Sequence, residues 1–302
     1  MNITDNTQLK TIIRYFVGFV FIGSALLKFL SIDSFEVYIY SFGLLKYNTA
    51  LLFARLVISI EILLGTLLIL GIYIKQTIIV SSILLLLFCA FIGYLFITNN
   101  EEHCHCFGDF IELSHGVTIL KNIGLIVLLL YNYKSIESRD KYKKWFLFVS
   151  LVLSFSLPIA FSFPHAIFNN IYSNSSSYNE VLLKDFLQQN KQYTQGRQIL
   201  CFFGTGCKYC KLASKKLSII ATKINDKDII KVVFWGTEES VITFYKETNS
   251  ISFKYTFLPP EKLLKITEGA VPLIFLLENG IIKGTYNYGN INETAIINFI
   301  TE

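Results

Sequence analysis

The chain has 302 residues, of which 53% are hydrophobic and 16% are charged, and its net charge is +5. This composition excludes an ordinary soluble protein. The basic residues form no stripe interleaved with aromatic side chains, so the positive charge does not indicate nucleic-acid binding. Apolar runs of about 20 residues, the length that crosses a bilayer, fill the first half and nearly disappear after Phe168. The sequence therefore predicts a membrane-embedded first half and a soluble second half.

The first half contains five apolar segments that we interpret as transmembrane helices. The first segment has no convincing small-residue cleavage site and leads directly into further spans, so we expect it to be retained and not removed as a signal peptide. The fourth is short, and we expect it to begin earlier, near Ile111, or to lie where the bilayer is thin. The predicted spans are 11–30, 48–72, 76–97, 117–131 and 145–163.

Lysines and arginines in the short loops predict the orientation, because they favour the cytoplasmic side. Lys10 and Arg14 flank the start of the first span, Lys75 lies in the second loop, and five basic residues lie between 134 and 144. The third loop, 99–115, has four acidic residues and no lysine or arginine. We therefore expect a multi-pass protein of the inner (cytoplasmic) membrane with a cytoplasmic N-terminus. The third loop and the soluble half would then both be periplasmic.

The soluble half alternates strands with helices, which predicts an α/β fold. An Asn- and Ser-rich linker precedes it, so we divide the chain into a transmembrane domain 1–168, a linker 169–179 and an α/β domain 180–302. Asn290 is expected to cap the last helix, with Glu293 in the capping-box position. The predicted strands are 198–203, 229–235, 271–277 and 281–288, the helices before the last are 207–225 and 238–248, and 253–258 is extended.

Cys207 and Cys210 form a C-x-x-C at a strand-to-helix junction. A sulfur at a helix N-terminus is favoured as the thiolate, which is the form that attacks disulfides, and the adjacent Lys208 adds positive charge. Cys210, one turn further on, would resolve the mixed disulfide. The alternative is half of a zinc site, but no second C-x-x-C or His pair follows in this domain.

The soluble half resembles the thioredoxin superfamily through Cys207-Lys208-Tyr209-Cys210 and the later Val271-Pro272. The resemblance implies a thioredoxin-like fold in which Pro272 is cis and holds the substrate backbone in extended form. The chain departs from the family in having Gly206 where a tryptophan is usual and in the dipeptide Lys208-Tyr209, so the redox potential does not carry over. Cys201 replaces a buried aspartate and is either a packing residue or a third redox thiol.

Cys104 and Cys106 form a C-x-C in the third loop. His103 precedes the pair and His105 lies between the two cysteines, and both histidines offer a proton relay or metal ligands. The predicted topology puts this pair on the same side of the membrane as the C-x-x-C, so the two pairs could exchange electrons. Thiolates and imidazoles also bind copper(I), and a structural loop is the third alternative. A metal-handling assembly factor is therefore the alternative function.

The first four spans resemble the MauE/DoxX family of redox-associated membrane proteins. In the MauE branch, which belongs to methylamine utilisation, the membrane protein acts beside a thioredoxin-like partner in maturing a disulfide-rich periplasmic dehydrogenase subunit. The resemblance therefore implies redox coupling between the two parts of this chain. It is carried by Arg14, Gly18, Gly23, Lys28, Phe35, Glu61, Gly65, Gly71 and Cys104-His105-Cys106-Phe107-Gly108.

Arg55 and Glu61 lie inside the second predicted span, Lys121 lies in the fourth, and Lys28 lies near the outer end of the first. Charge is costly within a membrane, so such residues indicate a functional role. Glu61 is expected to pair with one of Lys28, Arg55 and Lys121, and Lys28 could also merely snorkel. The cluster would either hold the bundle together or favour a thiolate or an anionic quinone. The sequence thus predicts a membrane-anchored thiol–disulfide oxidoreductase for exported cysteine-containing client proteins. It leaves the direction open and identifies no cofactor firmly. Quinone is the natural acceptor in the oxidative direction, although no sequence motif demonstrates it.

Overall fold

The computed structural model describes residues 3–97, 108, 113–133, 142–161 and 177–301. The chain forms two compact units. The first comprises Met1–Ile39 and Asn48–Ser162, and the second comprises Tyr40–Tyr47 and Phe163–Glu302. The short segment Tyr40–Tyr47 thus belongs to the same unit as the C-terminal half, which the sequence does not predict. The predicted boundary at 168 and most of the linker 169–179 lie outside the described residues.

Apolar helices make up the described part of the first half. Stretches of 18 to 24 residues in four of them are long and apolar enough to cross a membrane, which makes the chain a multi-pass membrane protein. The helices are α1 (Ile3–Leu30), α2 (Ile32–Ser41), α3 (Tyr47–Leu70), α4 (Ile74–Ile97), α5 (His115–Tyr131) and α6 (Lys143–Phe161), and the four stretches lie in α1, α3, α4 and α6.

Helix α5 corresponds to the predicted fourth span and is shorter than the others, at 17 residues. At 1.5 Å per residue it is about 25 Å long, less than the roughly 30 Å of an average hydrocarbon core. The helix begins at His115, because the Ser114 side chain accepts a hydrogen bond from the Val117 N–H and caps it. The expectation of an earlier start, near Ile111, is therefore wrong.

Gly18 of α1 and Gly65 of α3 lie against each other. A Cβ on Gly65 would be 2.8 Å from the Gly18 carbonyl oxygen and 2.7 Å from a side-chain carbon of Ile22, and a Cβ on Gly18 would meet Ile69 at 2.7 Å. Helices approach this closely in membranes only where small residues remove the side-chain barrier. Two glycines of the predicted family pattern therefore have a packing role.

The second unit contains a five-stranded mixed sheet flanked by helices, which is a thioredoxin-like α/β fold. The strand order is β3-β2-β1-β4-β5, with β1, β2 and β3 parallel and with β4 antiparallel to both β1 and β5. The elements in chain order are α7 (Glu180–Gln189), β1 (Arg197–Gly204), α8 (Lys208–Ile224), β2 (Ile230–Trp235), α9 (Glu238–Thr248), β3 (Lys254–Phe257), α10 (Pro260–Ile266), β4 (Leu273–Glu278), β5 (Ile281–Tyr286) and α11 (Glu293–Thr301).

The central strand β1 directly precedes the C-x-x-C segment and anchors it in the core. Six consecutive residues of β1 are buried, as expected of a strand covered on both faces. Phe202 and Phe275 pack edge-to-face across β1 and β4, with ring centroids 5.9 Å apart. The carboxyl end of this strand therefore provides a rigid base for the residues that follow it.

The expected cap of the last helix is wrong. Helix α11 begins at Glu293, and the Asn292 side chain accepts the hydrogen bond from the Ala295 N–H. Asn290 instead closes a 3₁₀ turn with Asn287, whose side chain accepts from the Asn290 N–H. A stretch with asparagines at 287, 290 and 292 offers several equivalent caps, so the pattern alone does not select one.

Candidate redox site

Cys207 lies directly after the central strand and caps helix α8. Its backbone is extended (φ −81°, ψ 118°), and its sulfur accepts a hydrogen bond from the Cys210 N–H at 3.2 Å. A sulfur in this position faces the free N–H groups and the positive end of the helix dipole. The strand–Cys–helix arrangement therefore favours a thiolate at Cys207.

The electrostatics of the site lower the pKa of Cys207 to about 7. The largest cause is a hydrogen bond with the Cys210 side chain, followed by hydrogen bonds from the Cys210 and Tyr209 backbones and by the charge of Lys211, which together outweigh the opposing effect of burial. A larger fraction of Cys207 than of an ordinary cysteine is therefore ionised at neutral pH.

Cys210 has the opposite character. Its side chain is fully buried, and burial raises its pKa well above the ordinary value, with Cys207 adding to the shift. The partly exposed thiol thus ionises first, and the buried thiol stays protonated. This asymmetry is what an attacking and a resolving cysteine require.

The Val271–Pro272 peptide bond is cis, the form that the resemblance implies. The Val271 carbonyl oxygen accepts a hydrogen bond from the Cys207 thiol, with 3.7 Å between the oxygen and the sulfur. The structure therefore brings together three of the predicted site residues, Cys207, Cys210 and Pro272. Val271 itself supplies a backbone acceptor beside the reactive sulfur.

Two exposed aromatic side chains border the site. Tyr209 is 47% exposed and Trp235, at the end of β2, is 38% exposed. A Cβ on Gly204 would lie 3.6 Å from both the Cys207 Cβ and the Trp235 ring. Trp235 is a site residue that was not predicted from the sequence, although β1 and β2 are parallel and the carboxyl ends of parallel strands meet at one edge of a sheet.

Lys211 is a further lysine, not singled out from the sequence, whose charge contributes to the low pKa of Cys207. Lys211 lies one turn from Cys207, and its ammonium pairs with Glu247 of α9 at 2.5 Å. Side chains three or four residues apart lie on the same face of a helix, so the spacing of Cys207 and Lys211 brings their side chains close together. The spacing of Lys211 was the signal that could have identified it.

Cys201 lies inside the sheet, with Val232 and Ile274 as its neighbours on adjacent strands. It is fully buried, and burial strongly raises its pKa. An inaccessible, protonated thiol is a poor nucleophile. Of the two interpretations, strand packing is the one that this environment supports.

Two buried ion pairs lie among the described residues of the first unit. Lys28 is 2% exposed and its ammonium contacts Glu61 at 2.5 Å and Ser24 at 3.0 Å, so it does not snorkel toward solvent. Arg55 pairs with Glu36 of α2 at 2.6 Å. Glu36 was not predicted as a partner, because helix α2 was not predicted from the sequence.

Lys121 of α5 interacts electrostatically with both Lys28 and Glu61. The contact between Lys28 and Glu61 confirms the expectation that Glu61 pairs with one of the three cations. The first unit thus gathers two cations around one carboxylate.

Cys104, Cys106, His103 and His105 lie outside the described residues. Gly108, two residues after Cys106, is described and has φ +63°. A Cβ there would lie 2.5 Å from the Leu27 carbonyl oxygen, so glycine is needed for this close approach to α1. Among the described residues, no group of three or more His, Cys, Asp or Glu side chains could hold a metal ion.

An apolar helical unit and a thioredoxin-like unit with a C-x-x-C define the class of a membrane-anchored thiol–disulfide redox protein. Residues 6–134 match the family described as methylamine utilisation protein MauE. The chain is also similar to Protein TlpB of Flavobacterium psychrophilum. The two are 26% identical over an alignment 307 positions long, which covers 83% of this chain and 83% of TlpB. The similarity to TlpB therefore extends over most of this chain, whereas the MauE match is confined to the membrane half.

Proposed function

We propose that the protein is a membrane-anchored thiol–disulfide oxidoreductase that acts on exported, cysteine-containing client proteins. The observation that carries the proposal is the asymmetry of the C-x-x-C. The accessible Cys207 has a pKa of about 7, and the buried Cys210 has a raised pKa. The backbone of Val271 beside the sulfur and the match to the MauE family add support.

The exchange begins when the Cys207 thiolate attacks one sulfur of a client disulfide. An S–S bond forms between Cys207 and the client, and the client's own S–S bond breaks and releases a thiolate, which takes up a proton. Cys210 then loses its proton and attacks the Cys207 sulfur, which breaks the S–S bond between Cys207 and the client and releases the client's second thiolate, which takes up a proton. The products are a Cys207–Cys210 disulfide and a client that has gained two electrons and two protons.

The second part of the proposal is a relay to the membrane unit. A reduced Cys104–Cys106 pair would return two electrons and two protons to the Cys207–Cys210 disulfide. In the opposite direction, the loop pair would accept electrons from reduced Cys207 and Cys210 and pass them to a membrane quinone. The relay requires both pairs on one face, and the lysines and arginines of the loops support a periplasmic location for both.

A trapping experiment tests the function. The full-length Cys210→Ala chain, expressed in cells, should accumulate mixed disulfides between Cys207 and clients, because the resolving thiol is gone. The matched Cys207→Ala chain should accumulate none. Equal trapping by both variants, or by neither, would contradict the proposal. Stoichiometric copper that is lost with Cys104→Ala, without any disulfide exchange, would favour the metal-handling alternative.

A further inference from the structure

Lys216 is a buried lysine in the middle of α8, away from the sulfur atoms. Its side chain is 1% exposed and lies between two tyrosine rings, with its ammonium 3.9 Å from the ring centroid of Tyr47 and 3.8 Å from that of Tyr288. The ammonium also donates to the Tyr47 hydroxyl at 2.6 Å and to the Tyr288 carbonyl oxygen at 3.1 Å. Tyr47 is the first residue of α3 and belongs to the second unit.

Tyr288 links this lysine to the redox site. Its ring lies 5.2 Å from the ring of Tyr209, the residue that directly precedes Cys210. Lys216 holds Tyr288 at two points, the ring through a cation–π contact and the backbone through a hydrogen bond. Tyr288 is itself buried, whereas half of Tyr209 is exposed. The fixed ring of Tyr288 therefore serves as the support on which the exposed ring rests.

We propose that Lys216 is a positioning residue that holds Tyr209, through Tyr288, in the conformation that an incoming client meets. The proposal rests on the proposed function, because it assumes that a client docks beside Cys207. A ring that is already immobilised loses less conformational entropy when a partner packs on it. Lys216 thus acts on client docking and leaves the ionisation of Cys207 unchanged.

The test measures the second-order rate constant of mixed-disulfide formation between full-length, reduced protein and a peptide disulfide. Lys216→Met should lower this rate constant about tenfold, the size expected when an interface side chain loses its preorganisation. Lys216→Arg keeps the cation and the donors and should stay close to the original chain. Lys262→Met removes an exposed lysine and is the matched control.

A double-mutant cycle separates positioning from general destabilisation. In a Tyr209→Ala chain there is no ring to position, so Lys216→Met should then have almost no further effect on the rate constant. The pH midpoint of Cys207 alkylation should be the same with and without Lys216→Met. An equal loss in both backgrounds, a shifted midpoint, or no loss at all would overturn the proposal. If Lys216→Met does not fold, Tyr288→Leu replaces it in the same cycle, with the same two outcomes.

The cycle also distinguishes this inference from the proposed function. If the original chain forms no mixed disulfide through Cys207, the proposed function fails. If the original chain reacts through Cys207 and Lys216→Met reacts equally fast, only the role of Lys216 fails.

Discussion

The sulfur of Cys207 lies 3.7 Å from the carbonyl oxygen of Val271, the residue before cis Pro272. A reactive sulfur and a backbone acceptor are thus presented side by side. A client disulfide in extended conformation could bond to the backbone near Val271 while one of its sulfurs faces Cys207. This relationship connects the C-x-x-C to a strand that begins more than 60 residues later in the chain.

The first prediction concerns Lys211, which lies one helical turn from Cys207. Lys211 contributes its charge to the low pKa of Cys207, so Lys211→Met should raise that pKa and slow alkylation of Cys207 at pH 6.5 by about twofold. Lys227→Met removes an exposed lysine that precedes β2, at the end of that strand opposite Trp235, and is the control that should have little effect. If Lys211→Met leaves the alkylation rate unchanged, or if Lys227→Met slows it equally, the assignment of the charge is wrong.

The second prediction concerns the glycine contact between α1 and α3. Gly65→Ala would place a Cβ 2.8 Å from the Gly18 carbonyl oxygen and should destabilise the first unit by about 1–3 kcal/mol. Gly93→Ala in α4 is the control, because its Cβ would have no atom within 4 Å. Thermal unfolding of the full chain in detergent measures both. A Gly65→Ala chain as stable as the Gly93→Ala chain would contradict this packing.

The third prediction separates the two roles considered for the Lys28–Glu61 pair. Glu61→Gln leaves a buried ammonium without its carboxylate and should cost about 3–5 kcal/mol, seen as a lower Tm. Replacing both residues by methionine removes both charges and should restore most of the stability. A double variant as unstable as Glu61→Gln would contradict this ion-pair account.

The restored double variant then reports on function. If its Cys104–Cys106 pair still exchanges electrons with the Cys207–Cys210 pair at the original rate, the ion pair is structural. A folded double variant with slowed exchange would give the pair a direct role in the relay.

Much of this architecture follows from local chemistry, and the remainder depends on tertiary contacts. Strand β1, the C-x-x-C and helix α8 could be predicted from the sequence. Each produces a local pattern of neighbouring residues, either an apolar run or a motif at a helix N-terminus. Helix α2 was missed because its ten residues are too few for a span and follow the first helix without a loop. Its Glu36 is consequently a site residue that no spacing rule connects to Arg55.

Tyr288 and Lys216 could not be predicted for a similar reason. Lys216 has the sequence context of any solvated helical lysine, and Tyr288 follows the last strand by two residues. Only the fold brings them together with Tyr209, since 72 residues separate Lys216 from Tyr288. Burial of a cation between rings is a property of the packed domain and not of a motif.

The fourth prediction tests the relay. If electrons pass between the two pairs, a mixed disulfide between Cys207 and one loop cysteine must form transiently, and removing both resolving thiols should trap it. Either Cys104→Ala with Cys210→Ala, or Cys106→Ala with Cys210→Ala, should give such a crosslink under mild oxidation. After cleavage at a protease site introduced in 169–179, the two fragments should separate only with reductant.

The control for the relay is the Cys207→Ala chain with the same loop substitutions, which should not crosslink. If neither double variant crosslinks while the original chain still reacts with a peptide disulfide, the two cysteine pairs act independently. The third loop would then have a metal-binding or structural role.

The most direct measurement of the central claim is the alkylation rate of Cys207 and Cys210 in the reduced, full-length protein between pH 4 and 10. Each cysteine is followed separately by mass spectrometry. Because only the thiolate reacts, the Cys207 rate should rise to half of its maximum near pH 7, while buried Cys210 stays largely unmodified through this range. Labelling of Cys210 before Cys207, or a Cys207 midpoint at or above the free-cysteine value of about 8.5, would contradict the assignment of Cys207 as the nucleophile.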